Sequence, residues 1–424
     1  MLRTLTAKLR NAHPSNVRSF RAASSQSDTM KSSSSRHNIV LIDAVRTPFL
    51  LSGTSFKDMM AVDLQRNALL GLIEKTKIPL KEVEHIACGT VIQECRTSNV
   101  AREAALTAGF PNSRSEEIPA HTVTLACISS NVAMTNLITM MQSGNIKVGI
   151  AGGVELLSDV PIRYNRKARS AMLSIQKAKK PLDKAKVGFE IIKNFFVPEL
   201  PAVSEFTSGE TMGKSGDRLA AAFGVSRREQ DEFAIRSHTL ADKATKEGLL
   251  TDVIPVFVPG KKPTIVRKDN GIRVSSMEKM QKLKPAFVKP HGTITAGNAS
   301  FLTDGASAAL LMTEDYALNH DIDVFELHEA FAGQLLANLN ALDSDFFCRE
   351  KLNRIRKFGR IPMEKLNLWG GSLSLGHPFG ATGVRLASHA ANRLRKEKGK
   401  YAVIAACASG GHGVGMLIET YPEK

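Results

Sequence analysis

Two cysteines follow predicted strands, where the chain turns into a helix or a glycine-rich loop. Cys127 lies in HTVTLACISSNVA, at a predicted strand-to-helix junction. The N-terminus of a helix offers partial positive charge and free N–H groups, which stabilise a thiolate nucleophile. Cys407 lies in ACASGGHGVG, where turn amides can bind an oxyanion and the thiol can exchange a proton. The pattern indicates a nucleophilic thiol and a second thiol that acts as acid or base.

Two histidines could complete this chemistry. His377 lies in GGSLSLGHPFGATG, whose glycines allow close backbone approach, and its imidazole could take the proton from a thiol. His328 begins HEAF directly after a predicted strand and could donate to a developing oxyanion, and Glu329 could orient it or a neighbour. HEAF lacks the HExxH spacing of zinc enzymes, so it does not indicate a metal. His412 could compete with Cys407 as a proton donor, although a structural role fits it better.

Each of these residues alone also has an ordinary structural explanation. A lone cysteine is usually a small buried hydrophobe. A histidine in a glycine-rich loop can simply bond to backbone. Five cysteines without paired spacing in 424 residues argue against a disulfide framework and favour reduced thiols.

Alternating strand and helix patterns place these residues at the ends of strands. The first half is predicted to have strands over 39–45, 85–91, 120–124 and 147–151 and helices over 61–77, 99–108 and 127–142. The second half is predicted to have strands over 324–327, 401–406 and 414–419 and helices over 329–342 and 380–398. VGIAGGVELL (148–157) and AVIAACASGG (402–411) also resemble each other. We therefore predict two related α/β halves with parallel strands covered on both faces.

Residues 160–285 interrupt the repeat and are predicted to form an inserted loop or lid domain. Within them, Arg163–Lys193 carries ten Lys and Arg residues against Asp183 and Glu190, with apolar residues between. Such a basic amphipathic segment suits an anionic membrane surface or a protein partner, and equally a solvated helical face. The predicted organisation is a first half over 37–159 and 286–318, the insert, and a second half over 319–424.

Residues 1–36 have the composition of a mitochondrial transit peptide. They hold seven Lys and Arg residues against Asp28 alone, are rich in Ser, and place Leu2, Leu5 and Leu9 at helical spacing. The alternative is a disordered basic tail. The net charge of +16 leaves about +10 on the rest, which suits anionic substrates, anionic lipid or nucleic acid. One Trp and four Tyr give little support to RNA reading by stacking.

Seven stretches resemble, in order, the signatures of the thiolase family. They are RTPF (46–49), CISS (127–130), AGGVE (151–155), GTITAGNASFLTDGASA (292–308), HEAF (328–331), GHPFGATG (376–383) and CASGGHG (407–413). Each is weak alone, whereas the ordered set is highly specific and spans nearly the whole chain after residue 36. HEAF in place of the commoner NEAF, together with SDVPIR and the basic insert, most resembles the long-chain 3-ketoacyl-CoA thiolases of mitochondrial β-oxidation.

The resemblance implies a duplicated αβαβα layered fold and a role for each candidate residue. Cys127 would attack the 3-keto carbon of an acyl-CoA and hold the shortened acyl group. His377 would activate it, and Cys407 would protonate the departing acetyl-CoA carbanion and later deprotonate CoA. His328 would take the place where many thiolases use Asn to position a water, and the amides of Cys127 and Ser409 would form a second oxyanion hole. The substrate-binding side chains would be Ser300, Ala296, Met212 and Phe331.

The resemblance also implies the reaction partners. CoA and acyl-CoA would be substrates, and no metal or prosthetic group would be needed. The chain would form a homodimer and associate with a hydratase/dehydrogenase α subunit in the mitochondrial matrix. Separately from the resemblance, the basic amphipathic segment 163–193 is a candidate for peripheral membrane contact.

The second half departs from the family pattern. Only Thr313–Asp323 connects the predicted strand Ala308–Met312 to the strand before HEAF, whereas a parallel crossover needs roughly a dozen residues or more. A strand and a helix, on the order of 40 residues by analogy with the first half, are therefore expected to be missing near 319–321. Three interpretations stay open: a long-chain thiolase, a related acetoacetyl-CoA thiolase or ketoacyl synthase-like condensing enzyme, and a catalytically impaired binding subunit.

Overall fold

Strands and helices alternate along most of the chain, for which the computed structural model describes residues 38–111, 118–314 and 322–420. The strands are β1 Asn38–Arg46, β2 Leu50–Leu51, β3 His85–Gly89, β4 Ala120–Val123, β5 Val148–Glu155, β6 Arg163–Tyr164, β7 Pro198–Glu199, β8 Val256–Val258, β9 Thr264–Val266, β10 Thr303–Glu314, β11 Val324–Leu327, β12 Tyr401–Ala408 and β13 His412–Glu419. The helices are α1 Ala61–Thr76, α2 Val100–Thr107, α3 Ser129–Gln142, α4 Arg166–Ser174, α5 Pro181–Phe195, α6 Met212–Ala222, α7 Arg227–Lys246, α8 Met277–Gln281, α9 Ala332–Leu342, α10 Asp345–Leu352, α11 Ser372–Leu375 and α12 Thr382–Glu397.

Five strands of the first half form a mixed sheet in the order β1-β10-β5-β3-β4, and β2 pairs with β10. β3 runs parallel to β4 and β5, whereas β10 runs antiparallel to β1 and β5. The outer face of this sheet is covered by α1, whose buried Leu64 and Leu69 join a core with Ile150 and Leu310. Burial on both faces explains why these strands read as continuous apolar runs.

The second sheet repeats this order but stops earlier. β11 runs parallel to β12, β13 runs antiparallel to β12, and a bridge from Phe325 to Leu366 continues the sheet beside β11. Within the described ranges, no strand lies beyond β13 and no helix precedes β11 as α1 precedes β3. The prediction that the second half lacks its first strand and helix therefore agrees with the described residues, although the join at 319–321 lies outside them.

Helices α3 and α12 form the layer between the two sheets. Their apolar side chains, including Leu137 and Ala387, share one core with Ala151 of the first sheet and Ile404 of the second. A separate core joins α9 with α6 and α7 on the outer side of the second sheet. The layers therefore alternate as the αβαβα arrangement requires, and the described chain belongs to one compact unit, His37–Lys424.

The insert contains more strand than its sequence pattern predicts. Two short hairpins, β6–β7 and β8–β9, accompany its helices. The basic segment forms α4 and α5, joined by a short 3-10 turn over Ile175–Lys177, and none of the residues of α5 is buried. No helix in the parts of the chain that the structure describes is long and apolar enough to cross a membrane.

Three sequence predictions need correction. α3 begins at Ser129 rather than at the thiol, and α9 begins at Ala332 rather than at Glu329, because the residues just before each helix have non-helical backbone angles. The similarity of 148–157 to 402–411 is out of register by one residue. Ile150 faces the outer core and Ile404 faces the middle layer, and a one-residue slip in a strand reverses every side chain.

Candidate active site

Cys127 occupies a tight turn between β4 and α3. Ala126 has a positive φ of 43°, and the hydroxyl of Ser129 bonds to both Leu125 N–H and Ala126 carbonyl. These bonds fix the turn, and the thiol remains partly accessible. The sheet end therefore presents a single thiol at the start of a helix that packs between the two sheets.

The two histidines predicted for the site converge on this thiol. The sulfur of Cys127 and one ring nitrogen each of His328 and His377 all lie within 4.8 Å of one another. The two imidazole rings have centroids 4.1 Å apart, and both are buried. Among the described residues, these three form the group whose donors could hold a metal ion, and a nucleophile with its base and its hydrogen-bond donor has the same geometry.

His377 is held as a base directed at the thiol. Its backbone N–H donates to Thr303 Oγ1, and its Nδ1 lies 2.6 Å from Thr382 Oγ1. The Thr382 hydroxyl donates its only proton to the carbonyl of Pro378, so it accepts from His377 Nδ1–H. The Nε2 of the neutral ring is then unprotonated, and it is buried without a protein partner.

The turn after β12 brings Cys407 and Ser409 to the same place. The backbone N–H groups of Cys127 and Ser409 both favour the charged form of the Cys127 sulfur. Cys407 is close enough to raise the pKa of Cys127 electrostatically, and its own sulfur lies 3.7 Å from Gln334 Oε1. His412 is exposed on the same turn.

Burial keeps the resting groups neutral. It is the main cause that raises the pKa of Cys127 to about 12, and it raises the pKa of Cys407 to about 11. It also lowers the pKa of His377 well below its ordinary value, with His328 and Arg385 adding to the effect. The expectation that the helix N-terminus alone favours a resting thiolate is therefore wrong, because desolvation outweighs the helix contribution.

A buried carboxyl joins the two halves at the site. Glu155, at the end of β5, accepts from the N–H groups of Val91, Ile92 and Gly380. Burial raises its pKa to about 7, against the effect of these three donors. Backbones approach closely here, since a Cβ on Gly153 would overlap the carbonyl of Gly380. This contact fixes the loop that carries His377.

The predicted substrate-binding residues lie around the inner end of the insert. Phe331 stacks edge-on with Phe287, which in turn packs against Gly213 beside Met212. Ser300 N–H donates to the carbonyl of Ala330, next to Phe331. A cavity of about 260 Å³ is lined by Ala296 and by several polar and basic side chains, namely His238, Arg273, Ser275 and Lys279. Of the four predicted residues, Ala296 lines this cavity, and the basic side chains of Arg273 and Lys279 give it positive charge.

Several contributing residues were not predicted as such. Glu155 and Thr382 lie inside the AGGVE and GHPFGATG signatures and Ser372 lies just before the second, but only the fold shows their contacts with the histidines and their loops. Glu205, from the insert, accepts from Ser409 Oγ and from Gly410 N–H, and so holds the turn after Cys407. Their polar side chains could have been noticed as neighbours of glycine-rich loops, but their partners could not.

Comparisons with known proteins agree with this geometry. Residues 39–315 match the family description "Thiolase, N-terminal domain", and residues 289–420 match "Thiolase, C-terminal domain". A probable 3-ketoacyl-CoA thiolase of Caenorhabditis elegans is 65% identical over 91% of this chain and 94% of that relative. The mitochondrial trifunctional enzyme subunit beta of Homo sapiens is 55% identical over 91% of this chain and 89% of its own.

The comparisons also bear on the shortened half. The alignment with the C. elegans relative spans 426 positions but takes in 91% of the 424 residues, so about 40 positions have no residue of this chain opposite them. The crystal structure of human mitochondrial 3-ketoacyl-CoA thiolase matches with a TM-score of 0.73 and 25% identity over 92% of this chain and all of that one. A Bacillus anthracis acetyl-CoA acetyltransferase matches with a TM-score of 0.74 and 28% identity over the same shares. The chain belongs to the thiolase family.

Proposed function

We propose that this chain is a 3-ketoacyl-CoA thiolase, an acetyl-CoA C-acyltransferase of mitochondrial fatty-acid β-oxidation. It cleaves a 3-oxoacyl-CoA with CoA to give acetyl-CoA and an acyl-CoA shortened by two carbons. The observation that carries the proposal is the convergence of Cys127, His328 and His377 within 4.8 Å, with Cys407 beside them. The 65% identity to a probable 3-ketoacyl-CoA thiolase supports it.

The first step breaks a carbon–carbon bond. His377 Nε2 takes the thiol proton while Cys127 attacks the 3-keto carbon, and the resulting oxyanion receives a hydrogen bond from His328. As the bond between carbons 2 and 3 breaks, the acyl group stays on Cys127 as a thioester. Cys407 gives its proton to the acetyl-CoA carbanion. The buried thiols suit this order, because neither is ionised before substrate arrives.

The second step regenerates the enzyme. The Cys407 thiolate takes the proton of incoming CoA, whose sulfur attacks the thioester. The N–H groups of Cys127 and Ser409 stabilise the oxyanion of this step, since both already lie at the Cys127 sulfur. Cys127 leaves as a thiolate and regains its proton from His377. The protons and electron pairs balance without a metal or prosthetic group, and CoA and acyl-CoA are substrates.

The substrate would enter past the insert. Ser300, Ala296, Met212 and Phe331 line the pantetheine and acyl path in this proposal, and the cavity beside Ala296 places Arg273 and Lys279 where CoA phosphates would be neutralised. The overall positive charge of the chain suits the same polyanion.

Partners and location follow from the relatives. Two mammalian relatives are mitochondrial trifunctional enzyme β subunits, so we infer a hydratase/dehydrogenase α subunit as partner, a thiolase homodimer, and a mitochondrial location. Residues 1–36 would be the transit peptide, and they lie outside the described residues. We infer the matrix as its compartment, because the trifunctional enzyme relatives are mitochondrial.

The basic hairpin α4–α5 is proposed to touch the inner membrane. Phe189 and Ile192 are each more than 60% exposed, and Lys184 and Lys186 lie on the same helix. An apolar surface flanked by lysines suits an anionic interface. Sedimentation with anionic vesicles should weaken for Lys184→Glu/Lys186→Glu, whereas Lys396→Glu, distant in sequence at the end of α12, should bind as the wild type does. Equal binding of both variants would remove the membrane proposal.

The decisive test is thiolysis by the full chain co-expressed with the α subunit. Loss of a long-chain 3-ketoacyl-CoA on adding CoA should depend on Cys127, with Cys127→Ala as the blank. Turnover of acetoacetyl-CoA alone would favour the acetoacetyl-CoA thiolase alternative, and condensation without cleavage would favour a ketoacyl synthase. Folded, soluble protein without any Cys127-dependent turnover would leave the binding-subunit interpretation.

A further inference from the structure

A chain of buried polar groups lies behind His328, on the side away from the thiol. Its Nδ1 is 2.9 Å from the hydroxyl of Ser372, the first residue of α11. That hydroxyl also receives a hydrogen bond of 2.9 Å from Nη2 of Arg385 on α12. The guanidinium in turn lies 3.7 Å from a carboxylate oxygen of Glu326, at 0% exposure for both side chains. Nothing in the proposed reaction uses Ser372 or Arg385 directly.

The direction of these hydrogen bonds follows from simple counting. A guanidinium can only donate, so Arg385 occupies an acceptor site of the Ser372 hydroxyl. The hydroxyl keeps one proton, and the described part of the chain offers that proton one hydrogen-bond partner, His328 Nδ1. Were the ring to donate from Nδ1 instead, a buried hydroxyl would carry two incoming hydrogen bonds and an unsatisfied proton, which is costly.

We propose that Ser372, backed by Arg385, fixes His328 as the neutral tautomer with its proton on Nε2, so that this nitrogen donates directly to the oxyanion of the first step. The inference rests on the proposed function. It makes Ser372 a positioning residue, since it touches neither substrate nor the reacting atoms.

The unpartnered atoms agree with this arrangement. Nε2 of His328 is buried and has no hydrogen-bond partner, as is Nε2 of His377 beside it. His377 is held in the opposite tautomer by Thr382, so the paired rings present one donor and one base to the same space. Two histidines with the same tautomer would offer either two donors or two bases, and only the mixed pair serves both needs of the step. Burial and the Arg385 charge also lower the pKa of His328 to about 3, which keeps the ring neutral.

The test compares two serines of the same short helix. Ser372→Ala removes the bond to His328, and Ser374→Ala removes an equally buried hydroxyl that bonds to Ser237 and Gly371 instead. We expect Ser372→Ala to lower kcat by roughly 10- to 100-fold, with KM within about threefold. This is less than the roughly 100- to 1,000-fold for removing an oxyanion donor outright, because His328 keeps the donating tautomer part of the time. Ser372→Thr, which keeps the hydroxyl, should recover most of kcat. Ser374→Ala should stay close to the wild type.

Nitrogen NMR of histidine-labelled protein gives a readout that packing alone would not move. The His328 signals, assigned by their loss in His328→Gln, should show a protonated Nε2 and a bare Nδ1 in the wild type and a mixture in Ser372→Ala. Equal kcat losses in the two alanine variants, or a bare Nε2 in the wild type, would overturn the proposal.

The outcomes separate this inference from the proposed function. If the wild type shows no Cys127-dependent thiolysis, the function fails, and the nitrogen spectra alone decide the tautomer. If Ser372→Ala does not fold, the wild-type spectrum decides it. If thiolysis is normal and Ser372→Ala matches Ser374→Ala in both kcat and spectrum, only the positioning role is lost.

Discussion

The two sheets share their strand order up to one position and then differ. In the first sheet, β10 is hydrogen-bonded to β5 on one side and to β1 on the other. In the second sheet, β13 takes the same place beside β12, and none of the described residues pairs with its other edge. A free edge leaves N–H and C=O groups to water or to other chains. The first sheet therefore continues one strand further, to an edge at β1, whereas the second sheet ends at β13.

The covering layers differ in the same way. Leu310 of β10 is 1% exposed beneath α1, whereas Leu417 of β13 is 63% exposed on the corresponding outer face. Val403, the neighbour of Leu417 on β12, is only half-buried. Without a counterpart of α1, the outer face of the second sheet has helix α9 over one side and solvent over the other. The absence of a counterpart of α1 therefore exposes apolar side chains at the β13 edge of the second sheet. The layer of α3 and α12 between the two sheets stays fully packed.

The His377 loop of the second half is held mainly by the first half, whereas the turn after Cys407 joins β12 to β13 and is held by Glu205 of the insert. Thr303 binds the backbone of His377, Ser307 Oγ donates to the carbonyl of Ala381 at 3.0 Å, and Glu155 accepts from Gly380. None of these contacts involves β13. The comparison teaches that stability and the geometry of the His377 loop depend on different parts of the fold. A shortened second sheet can therefore lower stability and still leave this geometry intact.

Restoring the missing elements should have the largest effect. Inserting the corresponding segment of about 40 residues from the C. elegans relative between Glu314 and Ile322 should cover Leu417 and Val403. At about 2 kcal/mol for each apolar side chain buried, unfolding in guanidinium should become harder by several kcal/mol. kcat of thiolysis should change less than threefold.

A flexible Gly/Ser segment of equal length is the matched control, since it adds chain without apolar surface. Comparable stability of the two insertions would show that the open half is not destabilised. A large rise in kcat with the native segment alone would show that the outer layer does position the site.

A matched pair of truncations compares the two outer faces directly. Leu310→Ala should lower the free energy of unfolding by about 2–5 kcal/mol, because it opens a cavity under α1. Leu417→Ala should change it by less than about 0.5 kcal/mol, as exposed substitutions do. The comparison is made from the denaturant midpoints of the two variants, whose unfolding free energies should depend on denaturant concentration with the same slope. A cost above about 2 kcal/mol for Leu417→Ala would mean that this face is covered in solution.

The sequence predicted most of what is local and little of what depends on distant contacts. The strand before HEAF, the shortened link to it, and the placement of Cys127, His377, Cys407 and His328 at strand ends all follow from periodicity and motif order. The short link indicated missing elements by analogy with the first half, but the crossover argument does not apply to it, because β10 and β11 lie in different sheets. The non-helical backbone angles at the Cys127 and HEAF turns were not predicted. The predicted helices α3 and α9 therefore begin too early in the chain.

What could not be predicted is the protonation chemistry. The helix N-terminus at Cys127 indicated a stabilised thiolate, but burial by residues from the other half controls its pKa. Glu155, Thr382 and Ser372 act through bonds to residues that are five to 225 positions away. Such contacts leave no periodic signal in the sequence and become visible only in three dimensions.

Glu155 tests the join between the halves through pH. Burial raises its folded pKa to about 7, so the folded state keeps a proton that the unfolded chain loses near its ordinary value of 4.5. Its stabilising contribution is therefore full below that value and is lost as pH rises to about 7. The free energy of unfolding should fall with a slope of up to about 1.4 kcal/mol per pH unit over this window.

Glu155→Gln should flatten that slope, measured as the difference between the unfolding free energies of wild type and variant at several pH values from 4.5 to 8. The amide oxygen can take the place of Oε2, which accepts from Val91 and Gly380, while the NH2 group loses the bond from Ile92, so the fold should persist with a modest loss of stability. A wild type and variant with parallel pH profiles would mean that the carboxyl is solvated and that the halves are not joined through it.

Self-association at β13 should show the smallest change in stability and the clearest difference between the two sheets. Gly413–Ile418 carries no charge and no proline, so its free edge has none of the features that usually block pairing with another chain. Leu417→Lys should weaken concentration-dependent association in light scattering by at least about tenfold, because pairing would bury the added charge. Leu352→Lys, at another exposed leucine, should associate as the wild type does. If both lysine variants behave alike, general surface charge and not the open edge controls association, and the contrast between the two sheets would concern stability alone.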